Sequence, residues 1–365
     1  MSLEPSPPSN SESKPGLIVD LIEGFQAKRQ FSRLLDEAFS VKAETHFFDD
    51  FPIWDETFSP PELARIGIFS KSDHETKLVS CAGVRLATMK AGAREFKVGL
   101  IGAVATHPDF RAQGLASKTV SFAMSWAQDR GASALFLWGS EYALYQKMGF
   151  ELCGEQIRKK LAELSLVKNS TPIQRGWNSA LLPLLQKRSF GLKLETHDLR
   201  WLSAHRSVDW FWSGEEKAPT AYVAIGRGID LQNLVHEWSG EAADLRSLLA
   251  HVLAQNPQAE LLGSPGLFRD FGFDFDPATV EFLCLCKVLD PVKIFSAVHP
   301  AIPFRAKPTR SELLTEWSLQ FGNSKPVSMS EHQLARTFFG PATPVSGPQG
   351  QIVPLPLWIW GLDGA

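Results

Sequence analysis

The sequence predicts an α/β protein: a mixed sheet flanked by helices, built twice over, with a small C-terminal unit. Three observations carry this. Apolar strand-like runs alternate with amphipathic helical runs from Leu17 to Gly154. A fainter copy of the same order follows between Thr220 and Phe275, and the FGF at 271–273 echoes the MGF at 148–150. The chain has 365 residues, of which 44% are hydrophobic and 21% charged, enough for two or three cored domains.

Residues 1–16 are rich in Pro and Ser and lack a basic region followed by an apolar run, so they read as a disordered tail, not a signal. From Leu17 to Phe39 a strand or turn feeds an amphipathic helix that presents Phe31, Leu34, Leu35 and Ala38 on one face. A loop of aromatics and acids follows, then the strand-like runs ARIGIFS and KLVSCAGVRLATMKA around a polar turn. VGLIGAVAT is a strand of small apolar residues ending at His107–Pro108. Leu115 to Arg130 is a helix closed by Gly131, and ALFLWGS is a buried strand. A short helix stopped by Gly149 and a strand from Glu151 complete the first unit, residues 17–163.

The second unit, 164–290, repeats strand, strand, helix, strand and short helix through TAYVAIGRG, LVHEWSG, EAADLRSLLAHVLAQN, AELLGSP and LFRDFGFDF. Its crossover is the tight SGEAAD, without the Arg- and Gly-bearing loop of the first. One working site and one scaffold site is the economical reading. Residues 291–365 form either an appended unit or an arm returning to the first domain. Their apolar end, IVPLPLWIW, is far short of the roughly 20 residues that span a membrane and is broken by two prolines, so it must be hidden against the protein.

Lys and Arg number 37 against 40 Asp and Glu, which argues against nucleic acid as principal partner. Four cysteines are too few for a disulfide scaffold and lack zinc-ligand spacing. A reduced, cytoplasmic protein without metal, nucleic-acid or membrane partners is expected.

The segment Val104–Ser117, VATHPDFRAQGLAS, joins a strand end to a helix start and holds RxxGxA. Such a turn exposes backbone N–H groups where a helix dipole begins, which suits a diphosphate. Gly114 admits a ligand to the backbone, and Ala116 keeps the first helical turn open. Alone the spacing is weak, since an ordinary strand–loop–helix turn with a solvated Arg gives the same text. Followed by helix, strand and SEYALYQKMGF, the segment resembles the GNAT acetyltransferases, and more specifically the tandem-GNAT enzymes of the Eis (enhanced intracellular survival) type. The motif match covers Val104 to Phe150; the rest is matched in layout.

The resemblance implies an active first GNAT domain, a degenerate second one, acetyl-CoA as co-substrate and oligomers. It implies that Val104, Ala105 and Thr106 bond the pantetheine and acetyl carbonyl through backbone groups. It assigns the pyrophosphate to Arg111, Ala112, Gln113, Gly114, Leu115, Ala116 and Ser117, and the pantetheine end to Ser140 and Glu141. Tyr145 stands where the family places its general acid; the alternative is a core aromatic. The chain-terminal carboxylate, here Ala365, serves as base in Eis-like enzymes, so the resemblance implies that the tail of the C-terminal unit docks toward the active site. Thr106 stands in place of the usual Val, at a main-chain contact. Direct transfer to a primary amine fits these parts, because an amine near pKa ~10.4 must lose a proton and the departing thiolate must gain one.

Asp49, Asp50 and Trp54, in the loop between the first helix and strand, are candidates to line a pocket for a cationic, partly apolar amine, against a reading in which the acids are solvated and the aromatics turn inward. Aminoglycoside, polyamine, peptide lysine and small metabolite all remain open as acceptors. Two rivals stand beside catalysis of acetyl transfer: an acetyl-CoA-sensing module without turnover, and an acyltransferase that uses a longer acyl-CoA.

Overall fold

In the computed structural model, the described residues are 16–39, 41, 45–72, 75–91, 94–187, 190–228, 230–310, 315–341, 345–347 and 350–363. The N-terminal strand β1 (Gly16–Leu21) precedes α1 (Phe25–Ala38), whose 3.6-residue spacing buries Phe31, Leu34 and Leu35 on one side. After the single turn α2 (Phe47–Asp50), an antiparallel meander of β2 (Leu63–Lys71), β3 (Thr76–Ala91) and β4 (Arg94–Thr106) forms the first half of the sheet. Helix α3 (Leu115–Asp129) then crosses to β5 (Ala134–Leu137), which pairs parallel to β4. Gly131, at φ 88, takes the left-handed conformation that ends α3. Helix α4 (Tyr142–Gln146) and strand β6 (Glu151–Lys160) follow.

A connecting region carries β7 (Ile173–Arg175), α5 (Leu182–Gln186), β8 (Phe190–Leu192) and α6 (Leu199–Leu202). The second half then runs β9 (Asp209–Glu215), β10 (Ala218–Ile225), β11 (Leu234–Gly240), α7 (Ala242–Gln255), β12 (Glu260–Gly263), α8 (Pro265–Asp270) and β13 (Glu281–Val288). Here too the crossover helix joins a parallel pair, β11 and β12.

Among the described residues the strands of both halves join one sheet in the order β1-β2-β3-β4-β5-β13-β6-β12-β11-β10-β9-β7. Each half therefore gives its last strand to the other: β13 pairs with β5, and β6 pairs with β12. The two exchanged strands pair antiparallel with each other, Cys284 opposite Cys153, so a pseudo-twofold relation runs through the middle of the sheet. Cys284 and Cys286, two apart on β13, share a strand face, and all four cysteines are buried and free.

Helix α9 (Pro291–Val298), the three-stranded sheet of β14 (Phe304–Arg310), β15 (Thr315–Phe321) and β16 (Val327–Ser330), and α10 (Glu331–Phe339) form a layer with its own Phe295, Phe304, Phe321 and Phe338 cluster. After the hairpin β17 (Val345–Gly347) and β18 (Gly350–Val353), the tail runs back across the second half. Its Leu355, Leu357, Trp358, Ile359, Trp360 and Leu362 are all buried. No helix among the described residues is long and apolar enough to cross a membrane.

Candidate active site

Strands β4 and β5 pair only from Val98 opposite Ala134 to Ile101 opposite Leu137. Beyond that point β4 runs on to Thr106 while β5 has ended, so the strands part and leave a cleft. The divergence is reinforced on the other side of β4. Its register with β3 shifts so that Ala103 and Val104 together face Ala82, and Ala103 adopts φ 50. A bulge of this kind takes backbone groups out of the ladder and turns them toward whatever enters the cleft. Ala105 and Thr106 remain tied to β3, where the Ser80 hydroxyl donates to the Ala105 carbonyl at 3.1 Å and lies 2.9 Å from the Thr106 hydroxyl.

At the end of β4 the loop Arg111–Gly114 is exposed, and it contains two left-handed residues, Ala112 at φ 59 and Gly114 at φ 73. Gly114 is the N-cap of α3, and no side chain caps that helix. The N–H groups of Leu115, Ala116 and Ser117 are thus presented at the positive end of a 15-residue helix. Arg111 folds back, its Nε donating to the Thr106 carbonyl at 3.2 Å, which links the loop to the strand end. An uncapped N-terminus, a nearby guanidinium and an open glycine suit the diphosphate of a nucleotide-linked donor. His107, beside this loop, is structural: its Nε2 lies 3.1 Å from Lys77 Nζ and its Nδ1 accepts from the Asp109 N–H.

On the opposite wall stand Trp138, Gly139, Ser140, Glu141 and Tyr145. Tyr145 is only 6% exposed, yet its hydroxyl has no hydrogen-bond partner among the described residues and the residue lines the cleft. Burial raises its pKa, and the negative charge of Glu141 adds to the rise. Gly139 makes room for the ring: a Cβ there would lie 2.9 Å from Tyr145 Cε2.

The cleft opens into a pocket of about 420 Å³, closed by three distant parts of the chain. Phe39, Phe47 and Phe51 come from the end of α1 and from α2; Arg227, Asp230 and Leu231 come from the β10–β11 loop; Ile359, Trp360 and Gly361 come from the tail. Phe47 stacks on Phe51 at 4.6 Å and 16°, and the Arg227 guanidinium lies over Phe51 at 4.3 Å. Arg227 is bidentate to Asp230 at 2.8 and 2.6 Å and also donates to the Gly361 carbonyl at 3.0 Å. Two more groups hold the tail: buried Arg85 donates to the Asp363 carbonyl at 2.8 Å, and Glu237 accepts from the Leu362 N–H at 3.0 Å. Arg158 and Gln156 of β6 complete the wall.

The acidic loop places its residues differently from the pocket expected of it. Asp49 caps α2 by accepting from the His46 N–H at 2.9 Å and pairs with Arg206 at 3.1 Å. Asp50 is buried and accepts from the Gly228 N–H at 3.2 Å. Trp54 is 0% exposed and lies flat on β3, where only a glycine fits: a Cβ on Gly83 would approach its Cζ3 to 2.2 Å. None of the three lines the pocket, and the aromatics of the loop do so instead. Ala365 lies outside the described residues. Phe39, Phe47, Phe51, Arg158, Arg227, Asp230 and Trp360 carry no local motif; a parting of strands, a second half and a returning tail bring them together.

In the second half the corresponding strand ends, Ser239 of β11 and Ser264 and Pro265 after β12, line a separate cavity of about 780 Å³ together with Leu355, Leu357 and Trp358 of the tail. Trp238 on β11 bridges to β12, its Nε1 donating to the Leu262 carbonyl at 2.8 Å, and its ring packs against Phe268, Phe271, Phe273 and Trp360. An indole and the tail thus occupy the space between these strands. Among the described residues no group of His, Cys, Asp or Glu is arranged to hold a metal ion.

Residues 26–153 match the family model described as an acetyltransferase (GNAT) domain. No curated protein is similar in sequence to the chain. Solved structures share its fold. A probable N-acyltransferase from Enterococcus faecalis is similar at TM-score 0.58 and 13% identity, over 86% of this chain and 85% of that one. A GCN5-related N-acetyltransferase from Kribbella flavida gives 0.58 and 15%, over 87% and 84%. Eis1 from Mycobacterium abscessus gives 0.54 and 12%, over 85% and 86%.

Proposed function

Because residues 26–153 match the acetyltransferase (GNAT) domain model, we propose that the chain transfers an acetyl group from acetyl-CoA directly to a primary amine. The observation that carries this reading is the buried Tyr145, with its unpartnered hydroxyl in the cleft between the parted strands β4 and β5. Acetyl-CoA would supply a thioester whose carbonyl is attacked. The loop Arg111–Ser117 holds its diphosphate, and the Val104 backbone, turned out by the bulge, polarises the carbonyl. The amine nitrogen forms a bond to the carbonyl carbon, the carbon–sulfur bond breaks, and Tyr145 returns a proton to the departing sulfur. Its raised pKa keeps that proton in place at neutral pH, which is what an acid needs.

The base is assigned to the chain-terminal carboxylate of Ala365. What supports this is the course of the tail before it, with Ile359, Trp360 and Gly361 lining the pocket and Asp363 buried. Removing the last two residues should depress turnover at low pH most, where the amine is most protonated.

The test is thiol release from acetyl-CoA over a panel of primary amines. Tyr145→Phe should lower kcat by about 10²–10⁴-fold with donor affinity retained, and Arg111→Glu should weaken donor binding. Donor binding without turnover on any amine, unchanged by Tyr145→Phe, would make the protein a sensor. A lower KM for a longer acyl-CoA would replace the acetyl group in this reading.

A further inference from the structure

We propose that the acceptor is a primary amine that carries a carboxylate on an apolar or aromatic body, and that Arg158 receives the carboxylate. The inference rests on the acetyl-transfer reading above and concerns the other substrate.

The pocket is walled by rings. Phe39, Phe47, Phe51 and Trp360 give it an aromatic face that suits an apolar or aromatic body. Its charged side chains then decide what the polar part of the acceptor must be. Arg227 and Asp230 neutralise each other through two short hydrogen bonds, and Arg227 also holds the tail, so neither is available as a lone charge. Glu141 belongs to the donor end, next to Ser140 and Tyr145. The acids that would have favoured a polycation, Asp49 and Asp50, are committed to Arg206, the α2 cap and the Gly228 amide.

Arg158 is left. It lies on β6 opposite Leu262 of β12, lines the pocket, and keeps 47% of its side chain exposed. Among the described residues it makes no hydrogen bond. Its nearest acid is Glu281, whose Oε2 is 3.7 Å from Arg158 Nε and is engaged at 3.3 Å by Gln156. A guanidinium so placed presents a planar fork of N–H donors, the complement of a carboxylate. An acceptor with an apolar body, one amine and one carboxylate uses every wall. A polyamine or an aminoglycoside would bring several cations to the wall that Arg158 occupies.

In the transfer, the amine loses one proton as nitrogen bonds to the acetyl carbon, and the thiolate takes one up. The products are an N-acetyl carboxylate and free CoA thiol, and Arg158 holds the same carboxylate throughout.

The experiment compares kcat/KM for matched pairs: phenylalanine against phenethylamine, tryptophan against tryptamine, and 4-(aminomethyl)benzoate against 4-methylbenzylamine, with spermine and an aminoglycoside beside them. The last pair allows for an amine and carboxylate far apart. We expect at least one carboxylate-bearing amine to exceed its partner tenfold or more. Arg158→Gln should erase that preference, leaving the acetyl-CoA dissociation constant, measured by calorimetry, unchanged. Preference for spermine, the aminoglycoside or the carboxylate-free amines would overturn the inference while leaving acetyl transfer standing, as would a preference that survives Arg158→Gln. Absence of thiol release with every amine would overturn both readings.

Discussion

Two glycines in the first half sit under aromatic rings for different reasons, and the difference is measurable. Gly83 lies beneath the buried Trp54, and Gly139 lies beside the catalytic candidate Tyr145. A methyl group on Gly83 would meet an indole with no room to retreat, so Gly83→Ala should cost about 1–3 kcal/mol of stability, read as a lower urea midpoint. On Gly139, which is exposed, the methyl instead presses on the edge of the phenol ring. Gly139→Ala should leave the urea midpoint and donor binding nearly unchanged and lower kcat by about tenfold or more, because small misplacements of a reacting group are expensive. A fall in stability matched by unaltered kcat would place Tyr145 among core aromatics.

Elements differ in how much of their role their own residues reveal. Helix α3, its glycine boundaries and the loop before it are legible because the diphosphate chemistry sits in consecutive positions, Arg111 to Ser117. Tyr145 is legible for the same reason. Trp54 and the acids around it are not, since a buried ring over Gly83 and a solvent-facing ring have the same neighbours in sequence. Strand β13 escapes notice because its partner, β6, is a strand of the other half and no hairpin links them. The tail is readable as hidden from its own residues, whereas its docking toward the active site is implied only by the resemblance. Its apolar side chains demand cover without naming the strand that gives it. Trp360 now has a specific place, 5.9 Å from Trp238 and 5.7 Å from Trp358 by ring centroid, with its other side on the pocket. Trp360→Ala should therefore act twice, lowering stability by about 3–5 kcal/mol and raising the acceptor KM, with donor affinity retained. Thermal unfolding and steady-state kinetics on the same sample would separate these effects; an unaltered acceptor KM would remove the tail from the acceptor site.

Across the whole molecule, stability is coupled to pH through two histidines buried near Arg227. These are His236 and His205, and burial holds their pKa values down at about 4 and about 3. Arg227 lowers both further. His236 donates through Nε2 to the Gly226 carbonyl at 2.8 Å, while its Nδ1 has no partner, so a second proton would find no acceptor. In the unfolded chain these histidines titrate near their usual value of about 6.5. Between pH 6.5 and 4 the unfolded chain therefore binds more protons, and stability falls as the pH falls, by about 1.4 kcal/mol per pH unit for each histidine. Urea unfolding from pH 7.5 to 4.5 should show this slope, and a His205→Gln, His236→Gln double variant should flatten it. An equal slope in the double variant would assign acid sensitivity to carboxylates instead.

The exchange of β6 and β13 also sets a timetable. Strand β5 is wholly buried, and one of its edges is covered by β13, which is made roughly 150 residues later. At a synthesis rate of about 5–20 residues per second, that edge waits about 7–30 s on the ribosome. During the wait the free β6, only a short helix away, is the strand at hand to fill the vacant position. A nascent first half that closes on its own β6 would have to reopen before the complete sheet could form, so the order in which the chain is made works against the order in which its strands lie.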